Sequence, residues 1–252
     1  MELLLAPPET HRDHAIGSRL DLAGLAAAYA LPTGAQRWVS VNMVSTLDGA
    51  ATGADGVTGS INSPADKLVF DLLRALSDIV VIGAGTARAE GYGPLTLDPE
   101  YAALRTELGL TPMLPLALVT RSGDLPAQLR HATTGTVLVI TSASCPALTQ
   151  LRADLGDEQV IVAGDSEVDL VTALNTLARN GFHRIHSEGG PRLLGELLHV
   201  GLVDELCLTL APRLVGGHHT RIVQAGDLRA SLLPYVLLHA DGDLIGRWLV
   251  RR

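Results

Sequence analysis

SPADKLVFDLLRALSDIVVIGAGT, residues 63–86, places a helix, a buried strand and a glycine turn one after another. Val69, Leu72, Leu73 and Leu76 recur at helical spacing. Ser63 suits the N-cap, and Pro64 suits the first helical position, where its missing N–H costs nothing. Residues 78–83, DIVVIG, are a short apolar run, the pattern of a strand covered on both faces. A covered strand directly after an amphipathic helix predicts an α/β protein with a mainly parallel central sheet.

The same alternation extends on both sides. WVSVNMV (38–44) reads as a strand, and a loop of small residues follows over 48–63. Beyond 83–94 the chain reads as irregular to about residue 115. Strands are predicted over 114–120, 136–141, 159–164 and 183–190. Helices are predicted over 146–155, 168–181 and 191–201, with Gly181 placed as a helix C′ residue. The order then changes to strands at 203–217, 233–243 and 244–252, with Asp241-Gly242-Asp243 as a hairpin turn. The fold class is α/β, a mainly parallel sheet flanked by helices with antiparallel C-terminal strands. Residues 1–36, with a short helix at 21–30, read as a peripheral segment, and 37–252 as the main domain.

Composition narrows the function. Of 252 residues, 47% are hydrophobic, 18% charged and 3% aromatic, which fits a globular domain packed with aliphatic side chains. The net charge of -8 has no basic run to offset it, and aromatic platforms are few, so nucleic acid is not an expected partner. No apolar run is long enough for a membrane span, and MELLLAPPE is unlike a signal peptide. The expected location is the cytoplasm. Cys145 and Cys207 are far apart and suggest neither a disulfide framework nor a zinc site. His218 and His219 stand without suitable ligand partners and read as a loop, so no metal is expected.

Two strand ends open onto glycine: Gly83-Ala84-Gly85-Thr86, and Gly189-Gly190 with Pro191 at a helix start. Ligands of open α/β sheets bind beyond the carboxyl ends of strands. A helix N-terminus there offers free N–H groups to phosphate, and glycine permits close approach. Either loop alone reads as a tight turn; both in one parallel sheet favour a dinucleotide diphosphate. Position 88 is Arg, so the first loop lacks the third glycine of the Rossmann fingerprint.

Four segments, NMVSTLDGA (42–50), 63–95, VTRSG (119–123) and 186–217, together resemble the 5-amino-6-(5-phosphoribosylamino)uracil reductases of riboflavin biosynthesis. That family has a dihydrofolate reductase-like fold, and the resemblance covers roughly residues 38–250. It implies NADPH as hydride donor, a phosphoribosylamino-pyrimidine substrate and a homodimer. The cofactor would lie along Val44, Ser45, Gly83, Gly85, Thr86 and Glu90. Its diphosphate would be wrapped by Gly189, Gly190, Pro191, Arg192, Leu193 and Leu194. Thr120, Arg121 and Ser122 follow a strand end, and the guanidinium could read a 2′-phosphate, or the turn could simply be solvated. Asn42, Thr46, Asp48, Thr58, Ser60 and Arg74 would line the substrate side, although Asp48-Gly49 alone reads as a turn. Arg74 also has Asp71 three residues earlier as an ordinary surface partner. The chain lacks the zinc-deaminase signature found ahead of this reductase in bifunctional relatives.

Two acids are candidate catalysts. Glu188 matches a substrate-contacting position of the family. Asp66 forms S-x-x-D with Ser63, a capping pattern, and also matches the pteridine-binding acid of dihydrofolate reductases. The helix N-terminus would favour its ionised form and burial its neutral form. Asp66 motivates dihydrofolate reduction as an alternative activity. A catalytically silent NADP-binding regulator is the alternative from another class.

Overall fold

A computed structural model describes residues 1–7, 14–32 and 34–251. The order of elements is β1 (Glu2–Leu5), α1 (Leu22–Ala28), β2 (Trp38–Thr46), α2 (Pro64–Ala75), β3 (Ile79–Gly83), α3 (Ala84–Ala89), α4 (Pro99–Glu107), β4 (Leu116–Val119), α5 (Ala127–Arg130), β5 (Val137–Thr141), α6 (Leu148–Leu155), β6 (Val160–Val162), α7 (Leu170–Arg179), β7 (Arg184–Ser187), α8 (Pro191–His199), β8 (Glu205–Ala211), β9 (Leu232–Ala240) and β10 (Asp243–Val250). They build one ten-stranded sheet in the order β1-β9-β10-β8-β2-β7-β3-β4-β5-β6. From β8 to β6 neighbouring strands are parallel. β10, β9 and β1 add antiparallel neighbours at one side. This is the architecture expected from the alternating middle and the strand-rich end.

The sheet is covered on both faces, and the strands alternate accordingly. Val39, Val41 and Met43 of β2 and Ile79 and Val81 of β3 pack with Leu174 and Leu177 of α7 and Leu194 and Leu197 of α8. Val80 and Ile82 of β3 belong to the opposite face, with Leu116, Leu118, Leu129 and Leu151. Each fully buried aliphatic side chain contributes about 1.5–3 kcal/mol. Residues 1–36 place β1 on the antiparallel edge, and Leu3, Leu25, Ala28 and Tyr29 are buried against α2 and Ile245. Positions 8–13 and 33 of that segment, and residue 252, lie outside the described residues.

Local chemistry sets the helix ends. Ser63 caps α2 by accepting from the Asp66 N–H at 3.0 Å, with Pro64 at N1. Gly181, just beyond the α7 C-cap, has φ +90°. The 241–242 turn joins β9 to β10 with positive φ at both residues, as a two-residue hairpin needs.

The segment from 95 to 115 is not irregular as expected, and the 83–94 turn also holds a short helix. Gly83 leads straight into α3, and α4 forms behind Asp98 and Pro99. α4 buries only Tyr101 and Arg105, one helical turn apart, so no apolar stripe marked it. Arg105 is completely buried and donates to the carbonyls of Ser77 at 2.5 Å, Thr111 at 2.8 Å and Ala75 at 3.2 Å. Its positive charge sits at the carbonyl end of α2, where the helix dipole favours it.

Arg105→Met keeps much of the side-chain volume but strands those carbonyls. Urea denaturation should show a loss on the order of 3 kcal/mol. A loss below the measurement error would mean that water replaces the guanidinium without cost.

Candidate active site

The sheet order decides the site. The chain returns through α7 to insert β7 between β2 and β3, so residues 46, 188 and 83 meet at one carboxyl edge. There the two glycine turns touch. The Gly83 N–H donates to the Gly189 carbonyl at 2.9 Å. A Cβ on Gly190 would stand 2.1 Å from Thr86 Oγ1, and one on Gly189 would stand 3.0 Å from Met43 Sδ. Gly189 itself has φ +83°, and the bond between the two glycines is cis.

A cleft of about 1630 Å³ runs from these turns along the ends of β3, β4, β5 and β6. It exceeds the roughly 300–1,000 Å³ of a drug-sized pocket and suits an extended ligand. Gly83, Gly85, Thr86, Thr120, Arg121, Ser122, Gly190, Pro191, Arg192 and Leu193 line it. Gly190 caps α8 without a side-chain acceptor, and Pro191 takes N1, so the α8 N-terminus is free to meet an anion. Leu194 departs from expectation: it is fully buried in the core, and its N–H bonds the Gly190 carbonyl at 3.0 Å. Sequence reading missed Arg88, Glu167, His199 and residues 224–226, all on the wall of the cleft. Arg88 drew notice only as an absent glycine. The 224–226 segment reaches the cleft because Gly195 lets Gln224 cross, a Cβ there falling 2.4 Å from the Gln224 carbonyl oxygen.

Beside the glycine turns lies a buried charged group. Arg74 Nε and Nη2 donate to the two oxygens of Glu188 at 2.6 and 2.9 Å. Tyr92 donates to Glu188 Oε2 at 2.7 Å. Phe70 stacks under the guanidinium at 4.2 Å. The surface pairing of Arg74 with Asp71 is therefore not what forms; Asp71 pairs with Lys67. Burial alone would raise the Glu188 carboxyl pKa, but the adjoining Arg74 guanidinium overcomes it and holds the pKa below the usual value. Burial drives the Tyr92 phenol far up, so it stays protonated as a donor. His186, fully buried nearby, shares a hydrogen bond with Ser40 at 2.8 Å, and burial lowers its pKa to about 4, which keeps it neutral.

Asp66 behaves oppositely. Only 4% of it is exposed, and burial raises its carboxyl pKa to about 6, against the lowering effect of the Thr209 hydroxyl. Burial, with the nearby Asp243 adding to it, outweighs the Thr209 bond. Ser63 supplies its own half of the cap, while the Asp66 side chain turns to Thr209 on β8.

The other candidates fall into two groups. Asn42, Val44, Ser45 and Thr46 are buried at the end of β2. Thr46 Oγ1 donates to Asp48 at 2.5 Å and accepts from the Ala50 N–H at 3.0 Å. Asp48 also accepts from the N–H groups of Val215 at 3.0 Å and Gly216 at 2.7 Å. Those bonds, the Thr46 hydroxyl first, hold its pKa down at about 2. Asp48 thus ties the β2 turn to the loop after β8. Thr58 reaches Glu90 through its N–H at 3.4 Å, and Ser60 bonds Asp55 at 2.8 Å, both within the small-residue loop or against its neighbour.

Such a sheet, with a cleft along its carboxyl edge and buried acids beside it, has the layout of an α/β enzyme. The family model described as the RibD C-terminal domain matches residues 37–241, and the chain belongs to that family. The 2,5-diamino-6-ribosylamino-4(3H)-pyrimidinone 5′-phosphate reductase of Archaeoglobus fulgidus is 30% identical over 193 residues, 75% of this chain and 87% of the relative. Escherichia coli riboflavin biosynthesis protein RibD is 28% identical over 187 residues, and the chain spans 49% of it. The crystal structure of a pyrimidine reductase-like protein from Corynebacterium diphtheriae superposes with a TM-score of 0.79 at 27% identity, covering 90% of this chain and 98% of that one.

Gly190→Ala should cost about 1–3 kcal/mol from the overlap with Thr86 and should distort the cleft floor. Adding Thr86→Ala should recover most of that loss in a thermal-unfolding cycle. A double variant no more stable than Gly190→Ala would show that the turn needs glycine for another reason.

Proposed function

We propose that the protein is an NADPH-dependent reductase of a phosphoribosylamino-pyrimidine in riboflavin biosynthesis. The observation that carries this reading is the placement of the Arg74–Glu188–Tyr92 group directly ahead of the glycine turn that lines the cleft. Substrate groups and a dinucleotide can then meet at one strand edge. The cleft residues fit such a cofactor: the glycines leave the backbone bare, the uncapped α8 N-terminus would hold the diphosphate, and Arg88, Arg121 and Arg192 would supply cations. Bound NADPH would supply a hydride to the C1′ carbon of the ring-opened, C=N form of the ribosylamine.

The chain's own task is to orient that carbon, exclude water and deliver a proton to nitrogen. Glu188 was a candidate donor, but its pairing with Arg74 favours the ionised form. Asp66, protonated up to about pH 6, is assigned the proton. Glu188 and Tyr92 then hold the Arg74 guanidinium in plane, and its remaining N–H groups take the substrate phosphate. The named relatives support pyrimidine reduction and give none to dihydrofolate reduction or to a silent NADP-binding role.

NADPH oxidation should be followed with the 2,5-diamino-pyrimidinone ribosylamine phosphate, its deaminated uracil counterpart and dihydrofolate. Turnover is expected with a pyrimidine. Dihydrofolate alone being reduced would overturn the assignment. With the preferred pyrimidine, kcat/KM should fall as pH rises through about 6, where Asp66 loses its proton. Asp66→Asn should lower kcat about a hundredfold or more and remove that pH dependence. Wild-type turnover in Asp66→Asn would leave the side chain a structural partner of Thr209.

We also propose a cytoplasmic homodimer. No helix among the described residues is long and apolar enough to cross a membrane. Leu232 and Leu233, exposed at the start of β9, present apolar surface that a second copy could cover. Sedimentation of wild type should give a dimer mass, and Leu232→Lys/Leu233→Lys should shift it to monomer. A wild-type monomer at micromolar concentration would refute the proposal.

A further inference from the structure

The far end of the cleft, away from Gly83 and Gly190, is formed by the turns after β4 and β6. Arg121 and Ser122 come from the first turn, and Ser166 and Glu167 from the second. Arg121 Nη1 meets Glu167 Oε2 at 3.2 Å, and both side chains are 69% exposed. If the reacting end of a dinucleotide lies by the buried charged group, its adenosine end lies here. The two side chains answer different ribose substituents. A guanidinium matches a 2′-phosphate, whereas a carboxylate accepts from a 2′-hydroxyl and repels a phosphate.

We infer that Glu167 is a specificity-determining residue that opposes Arg121 at the ribose 2′ position, weakening NADPH and supporting NADH. This rests on the dinucleotide reading of the cleft. The pair is too exposed to hold the fold together, and an exposed pair opens at little cost. A 2′-phosphate can recruit Arg121 by displacing Glu167 or through the N–H groups that Glu167 leaves free, and in either case it bears the carboxylate's charge nearby. A 2′-hydroxyl can donate to Glu167 with the pair intact. Ser122 and Ser166 offer hydroxyls to either substituent and do not discriminate by charge. The consequence is a cofactor preference milder than Arg121 alone would impose.

The test is direct binding of NADPH and of NADH to purified wild type, Glu167→Gln and Arg121→Gln, read from dinucleotide fluorescence. Glu167→Gln should tighten NADPH about three- to tenfold and leave NADH unchanged or weaker. Arg121→Gln should weaken NADPH about tenfold or more with little change for NADH. The Glu167→Gln gain should shrink as salt is raised, because exposed charges are screened. Glu167→Gln leaving the ratio of the two affinities within about twofold of wild type would overturn the inference while the dinucleotide reading stands. Wild type binding neither dinucleotide would overturn both.

Discussion

Thr86 Oγ1 stands where a side chain on Gly190 would begin, and the site depends on that contact. The turn after β3 and the turn after β7 belong to distant parts of the chain, yet they share one crevice. Their packing needs a bare backbone at Gly190 and a small side chain at 86. The hydrogen bond from Gly83 to Gly189 then sets the two strand ends at a fixed height. The α8 N-terminus is directed by the same turn, so a substitution that spreads the loops would also turn the uncapped end of the helix. In this arrangement glycine serves the protein's own close packing as much as a ligand's approach.

The buried charges around that crevice divide by their partners. Glu188 and Asp66 are both nearly inaccessible, and burial pushes both carboxyl groups upward. Glu188 has a bidentate guanidinium and a phenol within hydrogen-bond reach, so its ionised form wins. Asp66 has one hydroxyl partner and the Asp243 carboxylate nearby, which adds to the upward shift. Two acids at one strand edge therefore titrate apart, Glu188 staying ionised while Asp66 keeps its proton up to about pH 6, a division that would suit positioning by one and proton delivery by the other.

Much of the fold was legible because local and tertiary demands agreed. The apolar spacing of 69–76, the Ser63 cap, Gly181 and the 241–242 turn each specify one local geometry, and each has it. α4 was not legible because its buried face consists of Tyr101 and Arg105, and a buried arginine mimics a surface residue until its carbonyl partners are known. The cleft followed from two glycine turns in one parallel sheet. The partner of Arg74 did not, because Asp71 lies within the same helix whereas Glu188 lies 114 positions away. Asp48 likewise looked available to a ligand until the loop after β8 supplied N–H groups for its carboxylate.

The placement of rigid and adaptable parts follows from the same topology. Backbone groups and buried side chains make the floor by β2, β7 and β3, where displacement by an ångström would misplace a reacting atom. The outer strands β4 to β6 end in exposed turns, and Arg121 and Glu167 stand there on solvent-facing backbone. A change at those two positions alters charge without touching the sheet's core, whereas Arg74, Glu188 or Gly190 cannot change without disturbing their neighbours. For a dinucleotide bound as proposed, selectivity for the distal half could therefore drift while the chemistry at the near end stayed fixed. The parallel order of the strands separates the two by distance along a single edge.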